Sequence, residues 1–302
     1  MATKLPAVFS FLLIAFILVS PQAFATTYQV DGDIVGQVTN YQVEEGDNFY
    51  SIARKFDLGI VEMLASNKGV DPWIPEVGSM IFLPTSHILP SKRTKGIVIN
   101  LSELRLFYFA DTKTVMTFPI GIGREGWQTP LGTTKIIMKR KNPSWTPPAS
   151  IRAIHPDLPK TVPPGEDNPM GAYAMNLGLP GIAIHGTNKP HGIGLRSSHG
   201  CIRMYPEDIE TLFNAVPTNT PVTIIDTSYK IGWAGNTMFL EVMLTQEQVD
   251  DISEHRQPER LDRPEIYDEI IKNAGTKEGI DWFAVENALI DHSGLPVAVF
   301  SK

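Results

Sequence analysis

The rhythm of hydrophobic and polar positions changes several times along the chain. Residues 9–19 are apolar apart from Ser10, with Lys4 ahead of them and Ala23-Phe24-Ala25 behind. A positive start, a short apolar run and a small-x-small pattern predict a secretory signal peptide over residues 1–25. The run is shorter than the roughly 20 apolar residues that cross a bilayer, so the exported chain is expected to have no membrane span. Between 40 and 85 a compact pattern follows. Tyr41-Gln42-Val43 alternates like a strand, Glu45-Gly46-Asp47 reads as a turn, and Asp47 is the expected N-cap. Phe49, Ile52, Ala53 and Phe56 then recur at helical spacing, and Gly59 breaks the run. Ile60, Met63 and Leu64 open a second short helix that ends near Asn67; Pro75 and Gly78 lead to a strand over 80–83, stopped by Pro84. The predicted order is strand, helix, helix, strand.

Residues 86–96 read as a linker. From 97 to 226 the pattern is that of a β-rich unit, with strands expected over 96–100, 104–109, 115–120, 133–138, 182–184 and 222–225. Pro206 opens a helix over 206–213 that carries Ile209, Leu212 and Phe213 on one side. Residues 143–169 hold eight prolines, and Trp145, Ile151 and Ile154 give the stretch something to pack with. So long a segment without regular pattern is expected to be a loop bordering a functional cleft. In residues 227–302, Ile266, Ile270 and Ala274 fit one helix face and Trp282, Val285 and Leu289 another. This tail is expected to fold back on the β-rich unit.

Composition narrows the function classes. The chain has 302 residues, 42% of them hydrophobic and 20% charged, which suits a soluble protein with a sizeable core. Its net charge of −7 offers no basic footprint, so nucleic acid is not an expected partner. The tail holds 14 Asp and Glu against 7 Lys and Arg, an excess expected to be a solvated face. Cys201 is the only cysteine, which excludes an internal disulfide. In an exported protein a lone thiol is either buried and inert or kept for chemistry.

The neighbours of Cys201 favour chemistry. Ile184-His185-Gly186-Thr187 and Ser197-Ser198-His199-Gly200-Cys201-Ile202-Arg203 put two histidines and the thiol within 17 residues. An imidazole can take the thiol proton, and the resulting ion pair is expected to lower the cysteine pKa. Gly200 permits a tight turn that aims backbone N–H groups at a developing oxyanion. If the segment is extended, Arg203 shares the face of Cys201. Two other readings stay open on residue types alone. His185, His191, His199 and Cys201 are a possible zinc set for metal-assisted hydrolysis. Gly121-Ile122-Gly123-Arg124-Glu125-Gly126 spells a dinucleotide fingerprint, but Trp127-Gln128-Thr129-Pro130-Leu131-Gly132 follows it with turn chemistry instead of a helix. The glycines are expected to relieve a strand bend near the cleft.

Two family resemblances rest on these motifs. Residues 40–85 resemble a LysM module through Tyr41, Val43, Gly46, Asp47, Ile52, Ala53, Leu64, Asn67, Gly78 and Pro84, with Asn48-Phe49 in place of the usual Thr-Leu. The likeness implies binding of N-acetylglucosamine-containing glycans. Residues 95–226 resemble the YkuD-type L,D-transpeptidases through His185-Gly186 and Ser198-His199-Gly200-Cys201-Ile202-Arg203. Thr129-Pro130-Leu131-Gly132 and Pro119-Ile120-Gly121-Ile122-Gly123 support it. Asn142-Pro143-Ser144-Trp145, Met170-Gly171-Ala172-Tyr173-Ala174 and the C-terminal extension resemble the ErfK/YbiS subgroup. The implied fold is mixed and mainly β: a YkuD-like β-sandwich catalytic domain with short helices, a small βααβ LysM domain before it, and an α-containing C-terminal extension over 227–302.

The resemblance also implies roles. Cys201 is the nucleophile and His185 the general base and acid. The Gly186 carbonyl orients the imidazole, and amides at Gly200 and Cys201 form the oxyanion hole. Ser198 and His199 shape the loop, His199 being the second candidate base. Arg203 fixes the loop or meets a substrate carboxylate, and Tyr173 reaches the cleft. No cofactor or metal is implied. The partners are peptidoglycan strands and tetrapeptide stems, with an outer-membrane lipoprotein as one possible acyl acceptor, in a Gram-negative periplasm. The rival functions are a zinc-dependent wall peptidase and a non-catalytic LysM wall-binding protein.

Overall fold

The computed structural model describes residues 27–302 apart from 92 and 255; residues 1–25, read as a signal peptide, lie outside the described residues. Two short strands come first, β1 (Thr27–Gln29) and β2 (Ile34–Gly36). The small unit follows as β3 (Thr39–Gln42), α1 (Phe49–Lys55), α2 (Ile60–Ser66) and β4 (Met80–Leu83), in the order the spacing predicts. β3 and β4 pair antiparallel, and alternation in β4 buries Ile81 and Leu83 against Phe49, Ile52 and Met63. The N-cap of α1 is Asn48, one residue beyond the expected Asp47. The Asn48 side chain accepts the Ser51 N–H at 3.0 Å, and Ser51 Oγ accepts the Asn48 N–H at 3.1 Å. The Asp47 carboxylate is engaged in the turn before it, accepting from Tyr41 Oη and the Glu44 N–H, both at 2.8 Å. Asn67 ends α2 and clamps it to β4, donating to the Phe82 carbonyl at 2.9 Å and accepting the Phe82 N–H at 2.7 Å.

The stretch expected as a linker, 86–96, is not one. Its start is β5 (Ser86–Ile88), which pairs antiparallel with β2 and is buried at all three positions. The ribbon of β2 and β5 therefore closes behind the small unit. The central unit then runs β6 (Gly96–Asn100), β7 (Arg105–Phe109), β8 (Thr114–Pro119), β9 (Ile122–Gly123), β10 (Gly132–Lys141), α3 (Ala149–Ile154), β11 (Tyr173–Leu177), β12 (Ala183–His185), β13 (Arg196–Ser198), β14 (Ile202–Arg203), α4 (Pro206–Ala215) and β15 (Pro221–Ile225). Nine strands form one hydrogen-bonded order, β1-β8-β7-β6-β15-β10-β11-β12-β14, while β9 pairs with β13. The architecture is mainly β, as the sequence indicates. Ile97, Ile99, Leu106, Phe118, Ile184, Ile202, Ile209 and Leu212 meet in the principal core, which brings α4 onto the sheet.

The tail folds back as expected. β16 (Tyr229–Ala234), β17 (Thr237–Val242), α5 (Gln246–Ser253), α6 (Glu265–Ala274), α7 (Trp282–Asp291) and β18 (Val297–Ser301) carry their own core of Leu240, Ile266, Ile270, Val285 and Leu289. Leu244 and Val249 join the principal core, and Arg196 donates to the Gln246 carbonyl at 2.8 Å and pairs with Asp250. Its acidic residues are not all solvated. Glu241 is buried, with Lys230 Nζ at 3.1 Å from it and 2.7 Å from Glu103. His87 from β5 closes this cluster beside Glu103 at 3.8 Å. His87, Glu103 and Glu241 bring ligand-type atoms within 4.8 Å of one another, but the Lys230 ammonium already supplies the positive charge there. Among the described residues, no helix is long and apolar enough to cross a membrane.

A second buried ion pair fixes the small unit to the sheet. Arg105 of β7 is 1% exposed and donates Nε and Nη2 to the two oxygens of Glu62 on α2, each at 2.9 Å. Its remaining donors reach Thr117 Oγ1 at 3.1 Å and the Asp57 carbonyl at 3.2 Å. Removing one partner of such a pair strands a buried charge and costs about 3–5 kcal/mol. Glu62→Ala is therefore expected to lower the urea midpoint far more than loss of the exposed pair in Glu265→Ala, and Arg105→Met is expected to recover part of the loss. An unchanged midpoint in Glu62→Ala sinks this account of how the two units are joined.

Candidate active site

Strand register assembles the site. β10, β11, β12 and β14 lie side by side, with Arg140 opposite Ala174, Ala174 opposite His185, and His185 opposite Arg203. Directly paired residues project from one face, and the period of two sends their neighbours to the other. The neighbouring row is Lys139, Met175, Ile184 and Ile202, and its last three members are buried in the principal core. One step further, Asn176 lies opposite Ala183. Cys201 stands two residues before Arg203 and so shares the face of His185, Ala174 and Ala183. Met170, Trp145 and Cys201 pack with those two alanines. The resulting cavity of about 240 Å³ is lined by His185 and Cys201 together with Arg140, Asn176, Ser198 and Arg203. A wider cavity of about 580 Å³ shares Trp145, Ile151, Pro169, His199 and Arg203 with it. The proline-rich loop thus borders the cleft, as expected.

The His185 ring is held in one tautomer. Nδ1 lies 2.5 Å from the Gly186 carbonyl oxygen, which can only accept, so Nδ1 carries the hydrogen and Nε2 the lone pair. Burial lowers the imidazole to about 4, with the Arg203 and Arg140 charges adding to the effect and the Gly186 and Met170 backbone contacts opposing it. The ring is neutral at neutral pH.

Cys201 does not match one expectation. Burial pushes its thiol up, and the Ala183 N–H and the Arg203 charge only partly oppose this. The thiol donates to the Gly181 carbonyl at 3.4 Å, and no hydrogen bond joins it to His185. The resting pair is a neutral thiol and a neutral imidazole, where the sequence pointed to an ion pair. The cause is desolvation, which penalises both charged forms in the same cavity.

The loop before Cys201 is braced from two sides. Ser198 Oγ donates to the Cys201 carbonyl at 2.6 Å and accepts the Gly200 N–H at 3.1 Å. The Gly200 amide is therefore engaged, which leaves Cys201 as the remaining nominated oxyanion donor. Gly200 has φ +95°, a backbone conformation that favours glycine. Thr129, 3% exposed, accepts the Gly123 N–H at 3.0 Å and donates to the Gly200 carbonyl at 3.0 Å. A Cβ at Gly123 would come within 2.0 Å of the Trp127 carbonyl and 3.0 Å of Gly200 Cα. The glycine-rich run is thus a close-approach turn beside the loop that carries Cys201. Thr129 ties this turn to the Gly200 carbonyl, a contact that the motif contains without revealing.

Other nominated residues separate. His199 lines both cavities, but its Nε2 accepts from Arg124 at 3.1 Å and its ring packs edge-on against Trp127. Arg203 reaches the Ser197 carbonyl at 3.5 Å, while its buried Nε has no partner. Tyr173 is not in the cleft. It is one residue from Ala174 and so faces the opposite side, where its hydroxyl donates to Glu210 at 2.6 Å and its ring meets Phe213 on α4. His191 stacks edge-on against Tyr50 of the small unit and lines neither cavity, so the possible zinc set does not converge.

Comparison with known proteins follows this geometry. Residues 94–224 match the YkuD model, an L,D-transpeptidase catalytic domain, and residues 41–84 match a LysM domain. The chain is 37% identical over 297 residues to "Probable L,D-transpeptidase ErfK/SrfK" of Salmonella typhimurium, covering 94% of each. The chain belongs to the YkuD-type L,D-transpeptidase family. Within that family it is also 43% identical to "Probable L,D-transpeptidase YbiS" of Escherichia coli over 69% of this chain and 71% of that protein. It is 44% identical to "Probable L,D-transpeptidase YcfS" of Escherichia coli over 66% of this chain, a match that spans 65% of the relative. Both cavities of this L,D-transpeptidase lie within the YkuD match.

The neutral pair has a pH signature. His185 is expected to titrate near pH 4 by NMR, well below its ordinary 6.5. Between those values the unfolded chain binds a proton that the folded one does not, so this residue makes folding less favourable as pH falls through the window. Alkylation of Cys201 is expected to keep accelerating beyond pH 9. A plateau below pH 8 in the alkylation rate means that an ion pair exists after all.

Proposed function

We propose that this protein is an exported L,D-transpeptidase that acts on peptidoglycan stem tetrapeptides through a thioester on Cys201. One observation carries the reading: His185 Nδ1 is tied to the Gly186 carbonyl, so a basic Nε2 is presented on the strand face that also bears the thiol. The resting thiol bonds to Gly181, so it exchanges that carbonyl for the imidazole when substrate arrives. Catalytic hydrogen bonds are often loose before substrate arrives.

The chemistry proceeds by two acyl transfers. Sγ attacks the carbonyl of the third stem residue while Nε2 takes the thiol proton. Because neither group is charged at rest, proton transfer accompanies the attack. The Cys201 amide stabilises the oxyanion. The C–N bond to the terminal D-Ala then breaks, and the imidazolium returns its proton to the departing amine. An acceptor amine next attacks the thioester and passes a proton to His185. The C–S bond breaks, and the thiol is restored with that proton. Arg203, whose buried Nε lacks a partner, meets a substrate carboxylate. Ser198 and Thr129 hold the loop in place.

The acceptor is a lipoprotein lysine or a diaminopimelate of a second stem; the likeness to ErfK and YbiS favours the lysine. The LysM module binds the glycan strands. The export segment read over residues 1–25 and a wall substrate support a site of action outside the cytoplasm, in the periplasm.

Incubation with a disaccharide-tetrapeptide, or with a carbapenem, is expected to add one acyl mass to the protein with release of D-Ala from the peptide. Cys201→Ala is expected to show no adduct, and His185→Gln to slow acylation by about 10²–10⁴-fold, the usual worth of a positioned base. Product masses with each candidate amine identify the acceptor. An undiminished adduct on Cys201→Ala refutes the nucleophile assignment.

A further inference from the structure

The described residues lining the smaller cavity include two arginines and no carboxylate, although the whole chain carries a net charge of −7. Arg203 flanks Cys201. Arg140 stands at the far end of the same cross-strand row, on β10, two strands from His185 and three from Arg203. At about 4.8 Å per strand this separates the two backbones by roughly 14 Å. Only Ala174 and His185 lie between them in the row, and Ala174 is too short to fill the space above its strand.

Arg140 is held in place yet unneutralised. Its Nε donates to Asn176 Oδ1 at 3.1 Å, and Asn176 lies opposite Ala183, on the Cys201 side of the row. Among the described residues no carboxylate pairs with it. This sets it apart from Arg54, Arg105 and Arg196, which are matched to Glu207, Glu62 and Asp250. Its charge reaches the reactive centre, since it is one of the groups that disfavour protonation of His185. A planar guanidinium fixed through Nε leaves its two Nη groups for a bidentate partner, and a carboxylate has the matching geometry.

We propose that Arg140, positioned by Asn176, binds a carboxylate of the acyl donor and makes the site selective for acidic stem peptides. The proposal rests on the transpeptidase reading above. The donor offers two such groups, the side-chain carboxylate of the third residue and the terminal carboxylate of the leaving residue. Either satisfies the same guanidinium, with Arg203 available to the other.

Equilibrium binding to the Cys201→Ala protein tests this without any turnover. Three probes are needed: the free-acid disaccharide-tetrapeptide, the same peptide amidated on the third-residue side chain, and the peptide amidated at its C-terminus. Arg140→Gln keeps a donor for Asn176 but removes the charge. It is expected to weaken binding of the free acid by about 10–100-fold, the range of a charge-assisted hydrogen bond. Arg140→Lys is expected to fall between the two. One amidated probe is expected to bind the Arg140 protein weakly and to be insensitive to Arg140→Gln, and that probe names the carboxylate. A purely structural role would lower all three affinities together. An equal loss for all three probes, or no loss for any, overturns the proposal. Failure of the thioester reading shows separately, as absence of an acyl adduct on Cys201 in the unsubstituted protein.

Discussion

Ile184 lies opposite Ile202 in a parallel pair, and both are fully buried in the principal core. That packing leaves no freedom for the residues beside them. With side chains alternating along each strand, His185 and Arg203 must project from the other face, and Cys201 with them. A slip of one residue in either strand would drive isoleucine into the cavity and the imidazole or guanidinium into the core. The hydrophobic pair therefore specifies the reactive geometry more firmly than any bond within the site. Ala174 and Ala183 complete the arrangement by leaving the reactive face hollow where larger side chains would fill it.

The same burial that fixes the groups also sets their protonation. Both charged forms are penalised in the cavity, so His185 rests neutral and Cys201 protonated. The thiol gains protection from this, because adventitious oxidation proceeds through the thiolate. The cost is that activation has to coincide with substrate. On the mechanism proposed above, stabilising negative charge in the transition state would fall to fixed dipoles and to the two guanidiniums, which need no reorganisation at the moment of reaction. The neutral ring keeps Nε2 available as a base far below the pH at which an exposed histidine would be protonated.

The legible parts of the molecule were those with a strong period or a distinctive cluster. Ile52 and Phe56, or Ile266 and Ile270, declare a helix face, and Cys201 beside two histidines declares a reactive loop. The illegible parts are those where tertiary contacts override local pattern. β5 carries Ser86 and His87, which look like solvent-facing residues, yet all three of its positions are buried against β2, Glu103 and Glu241. β11 is hidden in the sequence because Ala174 and Asn176 interrupt the apolar signal, and they do so because they face the cavity. The side that Tyr173 faces is hidden for the same reason: its parity relative to His185 is readable only through β11. Asp47 and Asn48 are both good N-caps, and only the turn contacts of Asp47 decide between them. The engagement of the Gly200 amide by Ser198 is a matter of loop conformation that spacing does not encode.

The polar joints between units bear on how the glycan-facing module and the cavity are related. Arg105 with Glu62, and Lys230 with Glu103 and Glu241, are buried charges that each span two units of the chain. Asp57 and Asp208 add two buried carboxyls across the junction with α4, and burial raises both, with the Asp57 carboxyl adding to the effect on Asp208. The buried ion pairs are satisfied in one arrangement only, whereas an apolar interface tolerates sliding. α4 begins three residues after Arg203, and Ile209 on it packs close to Gly186, the residue that fixes the His185 tautomer. The small module is thus not a tethered anchor but a fixed extension of the catalytic sheet. A glycan strand held on it would approach the two cavities at a constant distance, and the stem peptide, not the enzyme, would supply the reach between them.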